Sequence, residues 1–156
     1  MKKIYISCTL VGFIFLASGC NPHARQEDSG MTLLKKTNSS PIQLSTMNSS
    51  KEVQDIKKDV SSLPEIYDVA VIKGKKDTLV VYKVKHLQRF RMKKIEKKLN
   101  TLLEKKYPDD KFSVSSDYKI FLEAERLRKK IKDAHVTKKK AEKELQSIIK
   151  LKDETT

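Results

Sequence analysis

The sequence predicts a small α+β protein, an open-faced sandwich with its elements in the order α-β-β-α-β-α. Three observations predict it. Two runs rich in β-branched residues, Ile66–Lys73 and Thr78–Lys85, are separated only by Gly74-Lys75-Lys76-Asp77, the pattern of a β-hairpin. A third short run, Phe112-Ser113-Val114-Ser115, alternates apolar and polar residues. Around these lie stretches whose apolar residues recur every three or four positions. A hairpin joined to a β-α-β crossover gives one three-stranded sheet, expected to carry its helices on one face.

The first helix is read from Val53, Ile56, Val60 and Leu63, which share one helical face. Ser50 is its expected N-cap and Pro64 its stop. In the second strand Val80, Tyr82 and Val84 point one way, and Leu79, Val81, Lys83 and Lys85 the other. That second face is expected to turn basic and wet at its end. From Leu87 to Tyr107 the spacing predicts a helix with the stripe Met92, Ile95, Leu99, Leu102 and Leu103, closed by Pro108-Asp109-Asp110.

After the third strand, Asp117 is the expected N-cap of the last helix. Its stripe runs Ile120, Ala124, Leu127, Ile131 and Ala134, and continues through Lys138, Ala141, Leu145 and Ile148. Unbroken, residues 117–150 would extend about 50 Å, whereas a domain of this size is roughly 25–30 Å across. Residues 135–156 are therefore expected to project as a basic helix and tail and to dock on a partner. A bend at His135-Val136-Thr137, returning the stripe to its own domain, is the competing account.

The N-terminus follows a different logic. Lys2 and Lys3 precede an apolar run from Ile4 to Leu16, too short for a comfortable membrane span of about 20 residues. Small residues and a cysteine follow. Ala17-Ser18-Gly19-Cys20 resembles the lipobox of bacterial lipoproteins, with Ala17 standing where Leu is usual. The resemblance implies cleavage between Gly19 and Cys20 and a diacylglyceryl group on the Cys20 sulfur. Each buried methylene contributes about 0.8 kcal/mol, and two acyl chains anchor stably where one does not. The expected location is thus the extracytoplasmic face of a cell membrane. Residues 20–50 are rich in Ser, Asn and Thr and are read as a flexible tether, with Ile42 and Leu44 among the few apolar spots able to dock on the domain at 51–134.

Charge narrows the functional classes. The 156 residues carry a formal net charge of +14, and residues 65–156 hold 26 basic against 15 acidic residues. On an exported protein such a surface meets anionic lipid, anionic wall polymer or an acidic partner. Nucleic acid is in the wrong compartment. The cations Arg126, Arg128, Lys129, Lys130, Lys138, Lys139 and Lys140, with Leu145 and Ile148, are the candidate docking surface.

Catalysis has little support. His23, His86 and His135 are scattered, and no His or Cys pair has metal-ligand spacing. Gly74 is the only glycine after Gly30, so no phosphate loop exists. The carboxylate pairs Asp109/Asp110 and Glu123/Glu125 sit beside lysines or arginines and read as turn formers and ion-pair partners. No enzyme activity, cofactor or metal is expected.

One family resemblance goes further. The runs Val69-Ala70-Val71-Ile72-Lys73-Gly74, Leu79-Val80-Val81-Tyr82-Lys83-Val84 and Phe112-Ser113-Val114-Ser115-Ser116-Asp117, behind a lipobox and a Ser/Asn-rich tether, resemble the YhcN/YlaJ sporulation lipoproteins of endospore-forming bacteria. This chain departs from them in its lysine content and long charged C-terminal helix. The resemblance implies a lipoprotein made during sporulation, on a spore membrane, with a role in spore properties or germination. One function class is then a non-enzymatic, membrane-tethered interaction module with a protein partner at the spore envelope. The other class is an electrostatic binder of anionic polymer or lipid.

Overall fold

The computed structural model describes residues 36–155. The expected signal peptide, the cleavage site at Gly19 and Cys20, and His23 lie outside the described residues.

The first strand, β1 (Ile42–Gln43), lies in the stretch read as tether and pairs in parallel with β2 (Ile66–Lys73), Ile42 opposite Ile72. Leu44 extends the contact by donating its N–H to Lys73 O at 2.8 Å. Between them runs α1 (Lys51–Ser61), and Ser50 is its N-cap as the sequence predicts, accepting from Val53 N. The hairpin partner of β2 is β3 (Asp77–Val84), and β3 pairs in parallel with β4 (Lys111–Ser115). The sheet therefore has four strands in the order β1-β2-β3-β4, against the three expected. The missed strand has only two residues, Ile42 and Gln43; Ile42 and the Leu44 that follows it are buried.

Helices cover both faces of the sheet, which corrects the open-faced sandwich. On one face Val69, Val71, Val80, Tyr82 and Val84 meet α1 and α2 (Met92–Lys106), through Val53, Ile56, Val60, Ile95, Leu99 and Leu103. On the other, Ala70, Ile72, Leu79 and Val81 meet Ile120, Phe121, Ala124 and Leu127 of α3 (Tyr118–Lys132). Both sets of β3 side chains are apolar, and a strand apolar on both sides needs cover on both. A bulge at Tyr67 breaks the two-residue period of β2: Ile66 faces Val84, but Asp68 already faces Lys83. The bulge lets Ile66 join the α1/α2 side while Asp68 points to the α3 side.

Asp117 caps α3, accepting from Lys119 N and Ile120 N at 2.7 and 3.1 Å. The helix does not run on to residue 150. His135 N donates to Lys130 O, Ala134 N donates to Ile131 O, and Ala134 has φ 54°. That is the paired hydrogen-bond closure of a helix C-terminus with a left-handed residue after the cap. The chain turns back into α4 (Lys138–Thr155), whose Ala141, Leu145 and Ile148 enter the α3 side of the core. The long C-terminal helix exists, but it folds back instead of projecting. Its apolar stripe would otherwise lie in water, and the sheet face offers burial at about 25 cal/mol per Å².

Candidate functional site

The densest polar cluster lies where the N-terminal segment joins the domain. The Asp68 carboxylate, with no side-chain exposure, sits 3.4 Å from Lys83 Nζ. Thr37 donates to Asp68 Oδ2 from its backbone N at 2.8 Å and from Oγ1 at 2.9 Å. Ser39 is buried; its Oγ donates to Glu125 Oε1 at 2.5 Å, and its carbonyl accepts from Lys57 Nζ. Arg128 closes the far side by a forked contact to Glu125, 2.9 Å at its shortest. Burial pushes the Lys57 amine down, against the pull of Asp68 and Glu125. Lys83 Nζ also lies 4.2 Å from the centre of the Phe121 ring, a cation–π distance. Lys83 is therefore buried, not on the wet strand end that alternation suggested. Every charge in this cluster is matched by an opposite charge or a backbone group, so its chemistry is structural: it clamps residues 37–39 to the α3 side.

The expected docking surface is divided by the fold. Leu145 and Ile148 belong to the core, and neither is available to a partner. Arg126 pairs with Glu123 at 2.5 Å, Arg128 with Glu125, and Lys130 with Glu144 of α4 at 2.8 Å. Lys138 Nζ donates to Ser45 O at 2.8 Å. Lys129, Lys139 and Lys140 are exposed. Lys138 and Lys139, with Lys75, Leu44, Ser45 and Glu142, line an open cleft of about 530 Å³ at the hairpin end of the sheet. Of the other cations of the cluster, Lys130 ties α3 to α4, while Arg126 and Arg128 pair within α3.

A second surface was not in the expected set. Between β3 and α2, residues His86–Arg91 form a 3₁₀ helix with no buried residue. Leu87 is 80% exposed and Phe90 91% exposed, the two most exposed large apolar side chains among the described residues. Three residues per turn place positions i and i+3 on one edge, so Leu87 and Phe90 form a single ridge. Exposed Lys85, Arg89, Arg91, Lys93 and Lys94 flank it, and no acidic residue occurs between Asp77 and Glu96. The sequence carries a signal for it. Leu87 and Phe90 fall off the stripe of Ile95, Leu99 and Leu103, so no helical face absorbs them.

The carboxylate pairs show no convergent site. Asp110 pairs with Lys73 at 2.7 Å, while Glu123 and Glu125 are held by their own helix's arginines. Among the described residues no group of three or more His, Cys, Asp or Glu side chains is placed to hold a metal. No protein-family model, curated protein or solved structure matches the chain.

Proposed function

We propose that this chain is a diacylated lipoprotein of endospore formation or germination, working without catalysis as an interaction module on the extracytoplasmic face of a spore membrane. The observation that carries the proposal is Ala17-Ser18-Gly19-Cys20 behind a basic start and an apolar run. The clamp at Thr37 and Ser39 agrees with it, because it fixes the end of a tether to a folded domain. Cys20 is the lipid-attachment residue in this reading, and the partner is a protein of the spore envelope. The test is fractionation of sporulating cells carrying the full chain or Cys20→Ala. The chain should stay with spore membranes through a high-salt wash, and Cys20→Ala should not. Identical distribution of the two contradicts the anchor.

A second reading, the binding of an anionic wall polymer, is favoured by the cleft between Lys75, Lys138 and Lys139. Such binding collapses with ionic strength, because exposed charges are screened beyond about 8–10 Å at physiological salt. A packed protein interface survives the same salt.

A further inference from the structure

The ridge at 86–91 has the composition of a membrane–water boundary. Its apolar edge, Leu87 and Phe90, stands clear of the domain, and five cations surround it. Interfacial segments bury such an edge at the acyl boundary and set their cations among anionic head groups. The start of α2 adds a second reason to favour an anionic surface. Arg91 is its N-cap and makes no capping hydrogen bond, its first turn holds no acidic residue, and Lys93 and Lys94 sit in it. Cations there oppose the helix dipole, and lipid phosphates would offset them.

The ridge also lies on the tether's side of the molecule. Thr37 is bound to Asp68, Asp68 faces Lys83 across the hairpin, and Lys85, two residues on, donates its N–H to Glu65 O just before the ridge begins. Half-exposed Tyr67 and Tyr118 belong to this end, where Arg89 and Tyr118 both act on the Tyr67 hydroxyl. Aromatic residues of this kind favour the head-group level. Thr37 lies seventeen positions after Cys20, and that length reaches at most about 60 Å even fully extended. The acidic neighbours do not cancel the charge: Glu65 is tied to Lys98 at 3.3 Å, and Glu96 is half-buried on α2.

We propose that Leu87 and Phe90 form a membrane wedge. They enter an anionic leaflet while Lys85, Arg89, Arg91, Lys93 and Lys94 bind its phosphates, holding the domain against the bilayer that carries its anchor. The wedge rests on the lipoprotein reading and adds a second, oriented attachment to it.

The chain contains no tryptophan, so Phe90→Trp places a single indole on the ridge of the full-length lipidated protein. Lys139→Trp is the control at the hairpin end of the sheet. Each is reconstituted into phosphatidylglycerol-rich vesicles with and without brominated lipid, then floated. The Phe90→Trp emission should shift to the blue and be quenched by brominated lipid. Lys139→Trp should do neither. Replacing phosphatidylglycerol with phosphatidylcholine should weaken the quenching. Flotation with a water-like, unquenched emission at position 90 overturns the wedge and leaves the anchor standing. A blue shift without quenching means that protein, a second copy or a partner, covers the ridge, and it overturns the bilayer assignment. Equal quenching at both positions overturns the orientation. Failure to float overturns the anchor, and the wedge with it.

Discussion

At the scale of single residues, the buried ion pair sets the sharpest expectation. Asp68 has no exposed side-chain surface, and Lys83 lies between it and the Phe121 ring. Removing one partner of a buried pair costs about 3–5 kcal/mol, because the other charge is left in the interior. Lys83→Ala should lose stability on that scale in a denaturant titration, and Lys83→Asp, which sets like charges together, should lose more. A loss below about 1 kcal/mol for Lys83→Ala, the range of a surface pair, would show that the pair is solvated. Alternation along β3 places Lys83 correctly beside Leu79 and Val81. Asp68 reaches the same face by the alternation of β2, in step with Ala70 and Ile72, and the bulge at Tyr67 moves only Ile66 to the other side. Helices were expected on one face only, so the cover that α3 gives the other face, and with it the burial of Lys83, was not legible.

Asp59 supplies a pH prediction at the same scale. Burial opposes its charge, but hydrogen bonds from Lys106 at 2.6 Å and Tyr107 at 2.7 Å prevail and hold its carboxyl below the usual value of 3.8. A lowered folded pKa contributes stability that is present above the unfolded value and lost as pH falls through the folded one. The Tyr107 hydroxyl moves the other way. Burial first, and Asp59 second, push it above the usual 10.0, so its contribution is present below that pH and fades as pH rises further. Asp59→Asn should therefore flatten both the acid and the alkaline limbs of the melting temperature. Unchanged limbs would remove Asp59 from the account.

At the scale of elements, the reversal between α3 and α4 decides what the C-terminus does. Ala134 takes a left-handed conformation, φ 54°, that costs a non-glycine residue roughly 1–2 kcal/mol. Glycine removes that strain but loosens the unfolded chain by about 0.4–1 kcal/mol. Ala134→Gly should thus stabilise by roughly 0.5–1 kcal/mol, and a destabilising result would contradict the closure described. Leu145 makes the complementary case. It is fully buried, and a Cβ added at Gly74 would come within 2.6 Å of its Cδ2, so α4 lies tightly on the hairpin turn. Leu145→Ala should cost about 2–5 kcal/mol. Deleting residues 138–156 should collapse thermal stability, where a projecting helix would have left it nearly unchanged.

The boundaries of α1, β2, β3 and β4 were legible because each has a strong period and a clear stop, such as Ser50 before α1. The helix reversal had neither Gly nor Pro to announce it, and its left-handed position is filled by an alanine that continues the heptad. The two residues of β1 were too few to show any period.

At the scale of the whole molecule, the cations divide into two groups. On α3 and the start of α4, Arg126 and Arg128 pair within their own helix, Lys130 and Lys138 tie to Glu144 and the Ser45 carbonyl, and Lys129, Lys139 and Lys140 are exposed. Those of the 85–94 segment surround exposed Leu87 and Phe90. The C-terminal stripe of the sequence is core, and the exposed apolar ridge sits at the sheet end where Thr37 is bound to Asp68. The proposed wedge rests on a lipid anchor at Cys20. Intact mass and N-terminal analysis of the mature chain from a membrane fraction tests this most directly. The account predicts a chain that begins at Cys20 and carries a diacylglyceryl group on its sulfur. A chain that begins at Met1, or a Cys20 with a free thiol, would contradict it.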